Sequence, residues 1–301
     1  MPSTPVVAII TRTKDRPLAL ARALKSISKQ DFNEPLVWVV CDDGVLTSAD
    51  WIKEEARLLG INCKYLKIDS GGRMEVASNA GIKSSESEFV VIHDDDDTWE
   101  TSFLSQTVDF LREKTNYMGV VTLTTQIFEK ISHDGIIEKR RTPYNGGLRK
   151  VQLAEIAKFN LFPPISFLYK RSVYEKIGLY NENFPVLGDW DFNLRFLLNF
   201  DIGVIPRFDA NYHWRIGDTK SYGNSVTDSI EKHIEFDAII RNYYLRQDLL
   251  SNKNGLGFLM SFGILSNSNS IFYHDYLRIR NKILGSKWIK FFASKILGRN
   301  L

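Results

Sequence analysis

The stretch FVVIHDDDDTW, Phe89 to Trp99, joins four apolar residues, Phe89-Val90-Val91-Ile92, to four consecutive carboxylates, Asp94 to Asp97. A short apolar run of this kind reads as a strand buried on both faces. Four acids crowded at its end repel one another unless a cation or strong hydrogen-bond donors neutralise them. Oxygen-only ligands suit Mg²⁺ or Mn²⁺, and Mg²⁺ commonly takes one or two carboxylates and completes its shell with substrate phosphate oxygens. An EF-hand is excluded, because counting from Asp94 puts Trp99 at the invariant glycine and Ser105 at the bidentate glutamate. A solvated acidic loop is the plain alternative; the apolar strand before the acids and Trp99 after them favour a site.

Upstream, the same texture repeats. Val6 to Ile10 is a β-branched run, and Asp15-Arg16-Pro17 opens a helix with Leu20, Leu24 and Ile27 on one face. Leu36 to Val40 is a second strand, Asp42-Asp43-Gly44 a turn, and Trp51 to Leu59 a helix stopped by Gly60. Cys63 to Ile68 is a third strand, and a helix follows Gly71-Gly72 from about Glu75 to Ser84. Strands alternating with helices predict a mostly parallel sheet covered on both faces, with ligands beyond the carboxyl ends of the strands. Thr11 to Arg16, Asp42-Asp43 and Asp94 to Asp97 fall at those ends and are expected at one rim.

Downstream the pattern becomes α+β. After a helix from about Phe103 to Lys114, Val120 to Phe128 reads as a strand, and Asp134-Gly135 between Ile131 and Ile136 as a hairpin turn. Ser172 to Glu175 has the form of a capping box before Gly178, and Asp189 to Phe200 reads as a helix with acids in its first turn. Leu284 to Leu301, with Lys287, Lys290, Lys295 and Arg299 among aromatic and aliphatic residues, reads as a basic amphipathic helix. Such a helix can lie on an anionic membrane surface or pack on its own domain or another subunit. These readings divide the chain into a main region at 1–250, with an α/β half at 1–115 and an α+β half at 116–250, and a helical extension at 251–301.

Composition narrows the classes. With 301 residues, 44% of them apolar, the chain buries a substantial core, which excludes a disordered or fibrous protein. A formal charge of only +3, with both signs mixed, argues against nucleic acid as a partner. Two cysteines without a CxxC pair make neither a disulfide framework nor a zinc site, and point to the cytoplasm. No run approaches the roughly 18 apolar residues of a spanning helix, and no signal peptide is read.

The ordered motifs TRTKDRPLALARALKSISKQ, VVCDDG, GGRMEVASNAGIKSSESEFVVIHDDDDTW, KRSVYEKIGLYNENF and GDWDFNLRF, within about residues 5 to 215, resemble the inverting family 2 glycosyltransferases of the GT-A fold. The resemblance implies a Rossmann-like sheet, a divalent cation, a nucleotide-diphosphate sugar donor (UDP, dTDP or GDP) and a saccharide or lipid-linked acceptor. The expected setting is bacterial surface-polysaccharide assembly, cytoplasmic or peripheral at the inner face of the plasma membrane.

It also implies residue roles. Thr11 and Thr13 match positions lining the nucleobase, Asp43 an acceptor for base or ribose, and Arg73 a diphosphate ligand. Asp94 and Asp96 match the outer members of the DXD motif; Asp96 is the metal ligand, and Asp94 or Asp95 faces the ribose. Asp189 matches the general base, with Trp190 and Asp191 beside it for sugar or acceptor. An N-cap is the structural alternative for Asp189. Here Gly188 stands where the usual pair begins with glutamate, a departure that favours the rival reading of an inactive nucleotide-sugar-binding module. His213 lies where some relatives supply a late metal or phosphate contact, although a lone histidine is more often structural. Arg215 and Lys220 fall in a glycine-rich segment expected to close over the diphosphate. A sugar-nucleotide pyrophosphorylase ranks last, since Thr11 to Pro17 contains no glycine.

Overall fold

In a computed structural model, residues 4–132, 135–216 and 230–263 are described. The α/β expectation is met. β1 (Val7–Thr13), β2 (Leu36–Asp42), β3 (Cys63–Lys67) and β4 (Phe89–Ile92) alternate with α1 (Pro17–Ser28), α2 (Ala49–Leu58) and α3 (Met74–Lys83). The four strands are parallel, in the order β3-β2-β1-β4. All of β1 and β4 is buried, as a central parallel strand requires.

Register then fixes the rim. Ile10 pairs with Ile92, and Thr13 with Asp42. The residues that follow Ile10 and Ile92, and those at the end of β2, therefore emerge side by side. The chain leaves β1 toward β2 and β3 and returns to β4 on the other side, which makes this the crevice where α/β sheets bind ligands.

Beyond β4 come β5 (Thr98–Trp99), α4 (Phe103–Glu113), β6 (Tyr117–Ser132), β7 (Gly135–Pro143), α5 (Leu153–Ile156), β8 (Phe167–Lys170), α6 (Tyr174–Ile177), α7 (Gly188–Leu197) and β9 (Asp201–Arg215). The sheet continues from β4 through β8, β6 and β9 to β5, with β7 paired to β6. β8 runs antiparallel to both β4 and β6, while β9 is parallel to β6. Trp38, Phe89, Phe103 and Leu168 are buried in the core cluster; each such side chain contributes roughly 2–3 kcal/mol by leaving water.

Two local features hold the rim. Pro17 begins α1 with its fixed φ, and Asp15 Oδ1 accepts the N–H groups of Val45 and Leu46 at 2.6 and 2.8 Å, tying the ends of β1 and β2 together. A Cβ on Gly81 would lie 2.5 Å from Ile10 Cγ2 and 2.9 Å from Cys41 Sγ, so α3 sits against β1 and β2 at a distance only glycine permits.

The expected β6–β7 hairpin forms, with Ser132 opposite Gly135. The capping box does not: α6 starts at Tyr174 after a 3₁₀ turn, with Val173 at its N-cap and no side-chain cap. β9 went unread as a strand because Pro206 interrupts it; Ile205 and Phe208 pair with the consecutive residues Thr122 and Leu123, so Pro206 sits in a bulge and needs no ladder partner.

The chain divides into two compact units between Ile240 and Arg241. α8 (Ile230–Ser251) spans that position, and in the second unit residues 256–263 are helical. There Asp248 Oδ2 accepts the N–H groups of Gly255 and Phe258. No helix among the described residues is long and apolar enough to cross a membrane. The expected basic helix at Leu284 to Leu301 lies outside the described residues, as do Lys220 and the glycine-rich segment around it.

Candidate active site

A cavity of about 350 Å³ opens at the rim, lined by Thr13 from β1, Asp43 after β2, Arg73 before α3 and Asp94 to Asp96 after β4. His213 and Arg215, from the end of β9, complete its far side. Five of the expected donor-site residues thus share one cavity with Asp96.

Two of the four aspartates, Asp94 and Asp96, are neutralised by guanidinium groups. Arg12 holds Asp94 in a fork, Nε to Oδ1 and Nη2 to Oδ2, both at 2.7 Å. Asp96 Oδ2 accepts from Arg215 Nη2 at 2.6 Å and Arg16 Nη1 at 3.1 Å, and Arg22 Nη2 reaches the Asp96 carbonyl. Asp95 accepts from the Thr13 hydroxyl at 2.7 Å, and Asp97 from the backbone N–H of His213 at 2.9 Å. The charges settle unequally. Burial would raise the Asp96 carboxyl, but Arg215 and then Arg16 outweigh it and hold the group below its usual range. Burial, then the neighbouring Asp96, pushes Asp95 and Asp97 up. Among the described residues no three His, Cys, Asp or Glu side chains form a group able to hold a metal unaided.

Asp42 and Asp43 divide the tasks read for them. Asp42 is the turn residue, accepting the Gly44 N–H at 2.8 Å and the Tyr65 hydroxyl at 2.6 Å. Asp43 faces the cavity while its oxygens accept the backbone N–H groups of Ser70 and Gly72 at 2.5 and 2.6 Å. Against the opposing effect of burial, those two bonds keep its carboxyl below the usual range. The same loop carries Arg73, whose Nε donates to the Ser70 carbonyl at 3.0 Å.

Four expected contacts are placed elsewhere. Thr11 does not reach the cavity: it is fully buried, and its hydroxyl accepts the Trp38 indole N–H at 2.8 Å. Trp190 points into the core, donating to the Ile156 carbonyl, and Asp191 is buried with Arg195, Nε to Oδ2 at 2.9 Å. Successive helix residues point about 100° apart, and α7 is buried around most of its circumference, so the neighbours of Asp189 turn inward. His213 borders the cavity, but Nδ1 donates to Glu129 at 2.9 Å and Nε2 accepts from Thr98 at 2.9 Å, leaving neither ring nitrogen for a cation. Burial lowers its proton affinity despite Glu129, consistent with a neutral ring.

Asp189 is not an N-cap: Leu187 holds that position, in the left-handed region at φ 62°. Asp189 Oδ1 accepts the Trp190 N–H at 2.9 Å, and Oδ2 accepts Asn160 Nδ2 at 2.7 Å. It is not among the residues lining the cavity, which reaches Pro185 and Val186. Burial raises its proton affinity, the Trp190 N–H and Arg12 oppose this, and Asp94 adds to it. Asp189 is therefore within electrostatic reach of the rim.

Sequence reasoning missed the arginine clamp, Asn160 and Glu75. The clamp left a trace: three cations, Arg12, Lys14 and Arg16, cluster at the end of β1 just as four acids follow β4, and adjacent parallel strands put both runs at the same end.

The sheet, four parallel strands with acids and arginines at their carboxyl rim continued by a mixed half, has the GT-A glycosyltransferase fold. The chain matches the model for glycosyl transferase family 2 over residues 8–178, more than half its length, and belongs to that family. It is similar to the uncharacterized glycosyltransferase YwdF of Bacillus subtilis (strain 168), with 23% identity over 258 residues, 83% of this chain and 85% of that one. Among solved structures it resembles S. aureus TarS 1-349 in complex with UDP, with a TM-score of 0.56 and 21% identity over 69% of this chain and 60% of that one. The same protein in complex with UDP-GlcNAc gives 0.57 and 22% over 73% and 61%. The chain spans about 60% of the length of those solved chains.

Proposed function

We propose that this chain transfers a glycosyl group, with inversion, from a nucleotide-diphosphate sugar to a hydroxyl of a saccharide or lipid-linked acceptor. The observation that carries this is the convergence of Asp43, Arg73 and Asp94 to Asp96 on one cavity from three strand ends. In the proposed division, residues 1–115 bind the nucleotide and 116–250 the acceptor.

Asp43 and the 70–72 loop hold base and ribose, and Arg73 offers a planar donor to the diphosphate. The oxygen-only donors at the rim fit Mg²⁺ or Mn²⁺: Asp96 is held ionised, and one carboxylate plus phosphate oxygens is a common Mg²⁺ arrangement. When bound, the ion would supply Lewis-acid stabilisation of the departing diphosphate. The acceptor oxygen attacks the anomeric carbon as the bond to the diphosphate oxygen breaks; the bond pair leaves on the diphosphate, and the acceptor proton passes to Asp189. The burial that raises the proton affinity of Asp189 makes it a stronger base.

TarS was solved with UDP and UDP-GlcNAc, which makes uridine donors the first to test. The decisive experiment measures turnover of UDP-, dTDP- and GDP-sugars with and without Mg²⁺ or Mn²⁺. Metal-dependent turnover that Asp189→Ala abolishes while nucleotide binding survives supports the reading. Binding without turnover would favour the inactive module that Gly188 suggests. Surface-polysaccharide assembly, at the cytoplasmic face of the membrane, is the proposed setting.

A further inference from the structure

Glu75 has no part in the chemistry above, yet it is only 2% exposed on the first turn of α3. Glutamate is almost never so deeply buried unless paired, and among the described residues its Oε2 is enclosed without a hydrogen-bond partner. Its carboxyl group lies against the start of α7. A Cβ built on Gly188 would stand 2.3 Å from Glu75 Oε1, 2.4 Å from Cγ and 2.6 Å from Cδ. The chain reaches Gly188 through Leu187, held at φ 62°, a conformation that costs a leucine energy. A buried carboxylate, a glycine that makes room for it and a strained entry thus meet one residue from Asp189.

We propose that Glu75 supplies, from α3, the carboxylate that position 188 lacks, and that it positions Asp189 and Arg12 for proton abstraction. The space that a side chain at 188 would occupy is filled by Glu75. Arg12 of β1 lies in the field of Glu75 as well as Asp94 and Asp189. Glu75 shares that cation, so Asp189 is less compensated and stays a stronger base. Burial raises the Glu75 carboxyl to about 7; Arg12 opposes the rise, and Asp189 and Asp94 add to it. This inference rests on the reading of Asp189 as the base.

The test uses Glu75→Gln, Glu75→Ala, Gly188→Glu and the double variant Glu75→Ala/Gly188→Glu, each followed by thermal midpoint and by kcat and donor KM for nucleotide-sugar turnover. Glu75→Gln is expected to lower kcat at least about tenfold, with donor KM and thermal midpoint close to the parent chain. Gly188→Glu is expected to lower the midpoint and abolish turnover, and the double variant to recover both relative to it. Parental kcat in Glu75→Gln, or a double variant no better than Gly188→Glu, overturns the proposal. A parent chain without turnover on any donor would instead sink the transferase reading, while the midpoints of Gly188→Glu and the double variant still decide whether Glu75 occupies the place of side chain 188.

Discussion

Asn160 Nδ2 donates to Asp189 Oδ2 at 2.7 Å, and Asn160 Oδ1 in turn accepts from Asn193 Nδ2 at 3.0 Å. Asp189 and Asn193 are one turn apart on α7, so the bridging amide of Asn160 locks the carboxylate to the helix that carries it. A hydrogen bond to an ionised group contributes about 1.5–3 kcal/mol, and here it favours the charged form that a base requires.

Asn160→Ala is therefore expected to lower kcat by roughly 10- to 100-fold, the rate equivalent of that energy. Losing the donor lifts the proton affinity of Asp189 further, so the acid limb of the pH-rate profile moves to higher pH. An unchanged profile with unchanged kcat would remove Asn160 from the machinery.

Asp96 gives the second prediction. Its Oδ2 already accepts from Arg215 and Arg16, so a divalent ion arriving alone competes with two guanidinium groups. A diphosphate changes the balance by drawing those cations to itself and adding oxygen ligands. Mn²⁺ alone is expected to leave the thermal midpoint almost unmoved, whereas Mn²⁺ with UDP raises it more than UDP does. Chelation should reverse that increment, and Asp96→Asn should abolish it. A large shift with Mn²⁺ alone would mean that the ion needs no phosphate.

The parallel half of the sheet was legible because β1, β2 and β4 are near-continuous apolar runs, and the rim followed from their common direction. The arginine clamp was less so, since its partners come from residues 12 and 16 on one side and residue 215, at the end of a strand that Pro206 disguises, on the other. Motif matching singled out Asp189, and Trp190 and Asp191 with it. Their burial depends on what surrounds α7, and no helical period betrays a helix packed on nearly every side. Glu75 was hidden for a similar reason: an acid in the first turn of a helix ordinarily serves the helix dipole, and only the proximity of Gly188 distinguishes this one.

Thr11 yields a prediction opposite to its sequence reading. Its hydroxyl serves the Trp38 indole inside the core, not the nucleotide. Thr11→Val keeps the shape but strands a buried N–H, at a cost of about 1–3 kcal/mol. The thermal midpoint should fall while donor KM stays at the parental value. A KM that rises several-fold in a fully folded variant would return Thr11 to the donor site.

His93, between β4 and the aspartates, makes stability depend on pH. It is fully buried, packs edge-on against Trp99 at 4.4 Å, and its Nδ1 donates to the Asp94 carbonyl at 2.9 Å. Its Nε2 is enclosed without a partner among the described residues. Burial above all holds its proton affinity down to about 4, against 6.5 for a free side chain. Between those two values the unfolded chain binds a proton that the folded chain refuses, so stability falls as pH drops through this window. The loss approaches about 3 kcal/mol once pH reaches the lower value. His93→Leu removes the titrating group and the unpaired nitrogen together, at the expense of the bond to Asp94. Urea unfolding at about pH 7 and about pH 5 should therefore show a smaller acid loss in the variant than in the parent chain. Equal losses in the two proteins would show that His93 takes up its proton within the fold and leaves the acid sensitivity to the carboxylates.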